Sequence, residues 1–358
     1  MKGNKGRKME VKEKLVKQIA ALLMVFVLLL GVSACSNPGG EGTDVKSTEW
    51  ERITVTDQAS RDVTISERPQ RIASGYYIST SLLLALGCQN RLVGIEAKAE
   101  ERNIYALAAP EIIDLPNMGF AKDFNLEACI ALKPDLVILP KKLQEPAKAL
   151  EELGISVLLI NPESDALLQE AIRLMGSAVG EEEKSEALLE CYEETNEKLA
   201  ASIKNADTPS IYLAGNSDML RTCPGGMYQN TLIKSAGGRN VAEAIEGDSW
   251  AGISYEQLLN WNPDYIIIAA EASYTAEDLR SVPELANLKA VKENHVLTMP
   301  SDFEAWDAPV PSGILGKLWL LAALHPEAYS LEEFQEDVSD FYDRFYGFTV
   351  DKELLTVS

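Results

Sequence analysis

From residue 71 onward, short apolar runs alternate with stretches of helical periodicity. The runs "RIAS", "RLVGI", "DLVILP" and "SVLLI" are separated by "STSLLLALG", "NLEACIAL" and "AKALEELG". Strands that are apolar throughout, each followed by an amphipathic helix, build a parallel sheet covered on both faces. The pattern then starts afresh with "SIYLAG", "NVAEA", "DYIIIAA" and "HVLTMP". The expected fold class is therefore α/β, with two Rossmann-like parallel-sheet lobes over residues 51–163 and 207–358 and a ligand cleft between them. Residues 164–206 lie between the lobes, carry no proline and space their charges for helices. Their later part, residues 181–205, predicts one connecting helix about 37 Å long. A stiff connector of that kind allows small closure motions rather than wide ones.

One phrase occurs twice. "NLEACIALKPDLVIL" at 125–139 and "SYEQLLNWNPDYIII" at 254–268 align without a gap, so that Glu127 meets Glu256, Pro134 meets Pro263 and Asp135 meets Asp264. Asn125 and Ser254 are good N-cap residues, and the glutamate two positions on complements the helix dipole. Pro-Asp then punctuates the chain before a strand. Each copy is one helix-to-strand unit of a lobe. Dipole compensation explains an acidic residue there, but not the same residue in both lobes.

The first 34 residues change the picture of the whole. Seven Lys and Arg precede the apolar run "IAALLMVFVLLLGV", which ends in small residues, the pattern of an export signal. The string Val32-Ser33-Ala34-Cys35 resembles the bacterial lipobox, which implies acylation of Cys35 and an exported protein anchored by lipid to the outer face of the cell membrane or in the periplasm. Residues 35–50 read as a flexible tether with a reach of roughly 20 Å. The chain carries 33 Lys and Arg against 55 Asp and Glu. Removal of residues 1–34 takes away seven basic and two acidic side chains and leaves a net charge of -27. Nucleic acid is excluded as a partner, because phosphate binding needs a basic surface. Cys88, Cys129, Cys191 and Cys223 show no metal or redox spacing and are expected mostly as buried apolar residues, with disulfides left open.

In order and spacing, "VTDQASRDVTISERPQRI", "LLLALGCQNRLVGI", the two duplicated phrases, "LIKSAGGRNVA", "LKAVKENHVLTMP" and "LGKLWLLAALHPEAYS" resemble the periplasmic-binding proteins of iron-siderophore, haem and vitamin B12 ABC importers. The resemblance covers nearly all of residues 51–346 and implies two lobes joined by a single long helix. It implies a monomer that captures an iron complex, ferric siderophore or haem, and delivers it to an ABC permease dimer with its ATPase. A corrinoid is the alternative cargo. The resemblance also implies that Glu127 and Glu256 dock the two lobes onto arginines of the paired permease subunits. No resident cofactor and no protein metal site are expected.

Ligands of open parallel sheets bind beyond the carboxyl ends of the strands. The loops there hold Tyr76, Tyr77, Phe120, Tyr228, Trp250, Phe303 and Trp306, aromatic walls suited to bulky apolar cargo. Family members often place a cargo-facing aromatic at the position of Trp250. Trp306-Asp307, followed by Pro309 and Pro311, either faces cargo or braces the helix starting near Ser312. Arg102, Lys122, Lys141, Lys142 and Arg221 also fall in these loops, and together favour an anionic cargo. His295 opens a strand at the end remote from the cleft and His325 follows a helix, so neither is expected to ligate iron; Tyr76 or Tyr77 could serve as an oxygen ligand for haem. A chelatase-like enzyme is the competing class, yet the sequence has no HExxH, no GxSxG elbow, no phosphate loop and no cleft histidine, so no acid-base or nucleophilic machinery is visible. A lipid-anchored adhesin or scaffold without a small ligand is a third reading.

Overall fold

The computed structural model describes residues 50–357. The export signal, Cys35 and all but the last residue of the tether lie outside the described residues. An N-terminal hairpin, Ile53–Thr56 with Asp62–Ile65, comes first and is antiparallel. It is absent from the strand expectations above, which start at residue 71, although its alternating burial follows from the alternation in "ITVT" and "DVTI". Asp57 in its turn is buried and accepts from Arg61 and from the backbone N–H of Leu159, 3.0 Å away. The hairpin is thereby fastened to the first lobe.

That lobe is a four-stranded parallel sheet in the order Leu92–Gly94, Ile72–Ser74, Leu136–Pro140, Ser156–Ile160. Leu136–Pro140 is buried at every position, which is why its sequence shows no alternation. The second lobe has Ser210–Ala214, Tyr265–Ile268 and Val296–Thr298 in parallel, with the short strand Arg239–Asn240 also parallel to Ser210–Ala214. Its other edge departs from the parallel expectation, because Arg221–Thr222 and Ala251–Gly252 extend the sheet in antiparallel fashion. The turn between Ala214 and Arg221 is too short for a helical crossover, so only a hairpin can form there.

The duplicated phrases fold alike. Asn125 accepts from the N–H of Ala128 at 3.0 Å and Ser254 from that of Gln257 at 3.2 Å, capping Leu126–Ala131 and Tyr255–Trp261. Each helix is followed by a residue in the left-handed region, Lys133 with φ 50° and Asn262 with φ 41°, at matching positions. The paired aspartates each tie down the start of the neighbouring strand. Asp135 accepts from the N–H of Gln70 at 2.8 Å and of Arg71 at 3.0 Å, and Asp264 from the N–H and hydroxyl of Ser210 at 2.7 and 2.6 Å. The repeat is thus a strand-clamping unit, with its two glutamates in the first helical turns and outside these hydrogen bonds.

Two helices, Asp165–Val179 and Glu182–Ser202, connect the lobes and pack on each other. The second is shorter than the expected 181–205, ending before the turn that leads to Pro209. Gly176 sits where any Cβ would collide with Ser185, so the helix pair can approach closely only with glycine there. Lys317, on the buried helix Gly313–Leu324, has its ammonium 2.8 Å from Asp165 and 3.1 Å from Asn196. One buried charge therefore joins both connecting helices to the second lobe. The helix Leu331–Tyr346 opens with a capping box between Ser330 and Glu333. It reaches back to the first lobe, where the Tyr346 hydroxyl lies 3.0 Å from that of Ser81.

Candidate functional site

Two adjoining hollows follow the carboxyl ends of the strands. One, of about 680 Å³, lies between the lobes. Tyr77, Arg102 and Glu163 line it from the first lobe, and Asn216, Tyr228, Trp250, Glu271, Glu304 and Asp307 from the second. The other, of about 570 Å³, belongs to the first lobe and holds Tyr76, Tyr77, Lys98, Arg102, Phe120, Lys122 and Lys142. Tyr77 and Arg102 line both, so the two form one continuous cleft wall. Asn103 donates to the carbonyl of Asp302 at 3.0 Å across the lobes and closes one edge of this space.

Arg102 is held from two sides. Its guanidinium lies over the Tyr77 ring, 4.3 Å from the centroid, and its Nε is 3.4 Å from Glu96. Glu96 is buried and in turn accepts from the hydroxyls of Thr80 and Tyr105, each at 2.6 Å. Burial pushes the Tyr76 and Tyr77 phenols well above their ordinary range, so both stay protonated, and Tyr76 donates to Glu163 at 3.3 Å.

On the other wall, burial pushes the Asp307 carboxyl up to about 6 and that of Glu304 up to about 7. Asp307 accepts from the N–H of Ala270 at 3.0 Å, and Glu304 from the Ser312 hydroxyl at 2.5 Å. Tyr228 is 5% exposed and its hydroxyl has no hydrogen-bond partner among the described residues. It abuts Gly313, where a Cβ would stand 2.6 Å away.

Tyr76, Tyr77, Phe120, Lys122, Tyr228, Trp250 and Asp307 thus fall in one cleft. Four other expected cargo residues do not. Phe303 and Trp306 are 7% and 1% exposed and belong to the core. Phe303 packs on Tyr342 and Phe348, and Trp306 donates its indole N–H to the Tyr342 hydroxyl at 2.9 Å while its carbonyl presses on Gly316. Trp306 therefore braces the helix after Ser312, and Phe303 supports it. Arg221 points its guanidinium at the Trp250 carbonyl and lines neither hollow, so it positions Trp250. Lys141 is exposed outside the hollow that its neighbour Lys142 lines.

Glu96, Glu163, Asn216, Glu271 and Glu304 were missed. Each follows closely on a strand or loop singled out above, and only the emphasis on aromatic and basic side chains hid them. The anionic-cargo expectation accordingly fits the first-lobe hollow alone, because the interlobe hollow is acidic.

A larger hollow of about 770 Å³ lies at the amino ends of the second-lobe strands, lined by Asp264, Lys289, His295 and His325. Both histidines are there, away from the cleft, and His295 stacks on Tyr265 at 4.3 Å. Ligands of parallel sheets bind at the opposite edge. Among the described residues no group of three or more His, Cys, Asp or Glu is arranged to hold a metal ion. Cys88, Cys129, Cys191 and Cys223 are free thiols, and all but the half-buried Cys191 are buried. No helix of the described residues is long and apolar enough to cross a membrane.

Glu127 and Glu256 occupy the first turns of their helices, exposed and without an ion-pair or hydrogen-bond partner for either carboxylate among the described residues. Each helix runs back toward the start of the strand it precedes, so its first turn lies toward the carboxyl edge of its sheet, the edge of the cleft.

Comparison with known proteins agrees with this geometry. A solved periplasmic solute-binding protein from Veillonella parvula is 26% identical with a TM-score of 0.77, over 85% of this chain and 95% of that one. The molybdate-binding protein MolA of Haemophilus influenzae is 27% identical over 320 residues, 82% of this chain and 90% of its own. Its molybdate-bound structure aligns with a TM-score of 0.73. The Fe(3+)-citrate-binding protein YfmC of Bacillus subtilis is 24% identical over 82% of this chain and 91% of its own. The family model described as "Periplasmic binding protein" matches residues 72–303. With two parallel-sheet lobes, connecting helices and a cleft at the strand ends, the chain belongs to the periplasmic binding protein family.

Proposed function

We propose that this solute-binding protein of an ABC importer captures a metal chelate in the cleft between its lobes and presents it to a permease dimer through Glu127 and Glu256. The observation that carries the docking is the duplicated unit. Asn125 and Ser254 cap, Lys133 and Asn262 turn, and Asp135 and Asp264 clamp, which leaves the two exposed glutamates as the part of the repeat without a structural partner. A two-lobed carrier meeting a two-fold permease needs one anionic contact per lobe. The cargo reading is supported by the aromatic cleft wall and by relatives named for molybdate, ferric citrate and, over 47% of this chain, vitamin B12. Lipidation of Cys35 would hold the carrier beside its permease, and acid hydrolysis of membrane-bound protein followed by fatty-acid analysis tests it. The cargo reading is tested by absorption titration with haem, aquacobalamin and ferric citrate, together with molybdate followed by melting temperature. Binding of at least one chelate raises the melting temperature, whereas indifference to all four contradicts it.

A further inference from the structure

We propose that the cleft selects a chelate with opposite charges at its two ends, the anionic end on Lys122 and Lys142 and the cationic end against Glu271, Glu304 and Asp307. This rests on the metal-chelate reading and names the cargo class within it. The two walls differ in kind. In the first-lobe hollow Lys98 is neutralised by Glu101 at 2.7 Å and Arg102 is engaged with Glu96 and Tyr77. Lys122 and Lys142 are exposed and have no hydrogen-bond or ion-pair partner among the described residues. In the interlobe hollow Arg102 is the one cation among the lining residues, facing the carboxylates of Glu163, Asp248, Glu271, Glu304 and Asp307.

Acidic groups gathered in so small a space repel one another, and a carboxylate is stabilised there by gaining a proton or by meeting a cation. Burial pushes the carboxyls of Glu304 and Asp307 up, which favours the first response. A cationic cargo supplies the second. Glu271 lines the space on a left-handed backbone with φ 56°, exposed and without a partner among the described residues. Tyr228 lines the same hollow, with its hydroxyl buried against Gly313 and unpaired among the described residues. A purely anionic cargo would satisfy Lys122 and Lys142 and then meet the carboxylates of the opposite wall, a like-charge encounter that selects against it.

The test is calorimetric titration of the protein with three probes. Aquacobalamin joins a cationic cobalt corrin to an anionic phosphodiester, whereas ferric citrate and molybdate are anionic throughout. Wild-type protein is expected to bind aquacobalamin at least tenfold more tightly than either anion. The E271Q/E304Q/D307N variant is expected to lose at least tenfold in aquacobalamin affinity, and K122E/K142E likewise, with no loss of anion affinity in the carboxamide variant. E271Q alone, at an exposed position, gives the same direction with a smaller factor should the triple variant fail to fold. Equal or tighter binding of an anion by wild type, or aquacobalamin affinity unmoved by E271Q and the triple variant alike, overturns the charge division and leaves the metal-chelate reading standing. Indifference to all three probes overturns the charge division, and indifference to haem as well overturns both.

Discussion

Lys317 gives the sharpest test of how the lobes are held. Its side chain is 1% exposed, its ammonium lies 2.8 Å from Asp165, itself 20% exposed, and the Asn196 amide oxygen is 3.1 Å away. Truncating one partner of such a pair leaves the other charge buried without compensation, a loss of about 3 to 5 kcal/mol. Asp165→Asn also forfeits a first-turn charge, about 0.3 to 1 kcal/mol. Lys317→Met removes the more deeply buried charge and strands Asp165, whose carboxylate keeps partial access to water, and is expected to cost less. In the double variant the apolar and amide groups have no charge left to strand. Its loss should therefore fall short of the sum of the two single losses by at least about 1.5 kcal/mol, within the range of directly coupled pairs. Urea unfolding followed by circular dichroism at pH 7 measures the cycle. A loss below about 1 kcal/mol for Asp165→Asn, or strict additivity, would mean that water already solvates this site and that the ion pair does not fix the connecting helices.

Three further outcomes follow from charge and burial. Burial pushes the Asp264 carboxyl up, but hydrogen bonds from Lys289 and Ser210 outweigh it and hold it down at about 2. A depressed carboxylate stabilises the fold above its ordinary value near 4, and that stability fades as pH falls toward 2; Asp264→Asn should flatten this acid limb, and an unchanged limb would remove the clamp. Glu304 and Asp307 act in the opposite sense, since their raised values give stability that is present below about pH 4 and lost as pH climbs through 6 and 7. Wild-type melting temperature should drop over that interval and E304Q/D307N should drop less, an identical slope being the contrary result. Finally, Phe303→Ala should cost about 3 to 5 kcal/mol as a core truncation while cargo affinity holds, and Trp250→Ala should do the reverse in calorimetry and urea unfolding; equal effects of both on affinity would return Phe303 to the cleft.

The fold was legible because burial on both faces leaves its mark in composition. Strands such as Leu136–Pro140 are apolar at every position, and the gapless repeat gave the equivalence of the two lobes. What escaped was geometry that composition does not encode. Phe303 and Trp306 occupy an irregular loop like Trp250, but the loop folds under the helix Gly313–Leu324 and carries them into the core. Lys141 and Lys142 are neighbours in a turn, yet only Lys142 lines the hollow. The acidic wall went unread because a surplus of 22 negative charges hides the few that converge. Which carboxylates face a cleft depends on loop paths set by long-range packing.

The most direct measurement concerns the exposed glutamates. Transport should be followed in cells or proteoliposomes carrying the permease and ATPase, with whichever probe the protein binds, comparing wild type, E127R, E256R and E127R/E256R. The account predicts unchanged probe affinity in all four, weakened uptake in each single variant and at least a tenfold loss in the double. Full uptake by the double variant, with its probe affinity intact, would contradict it.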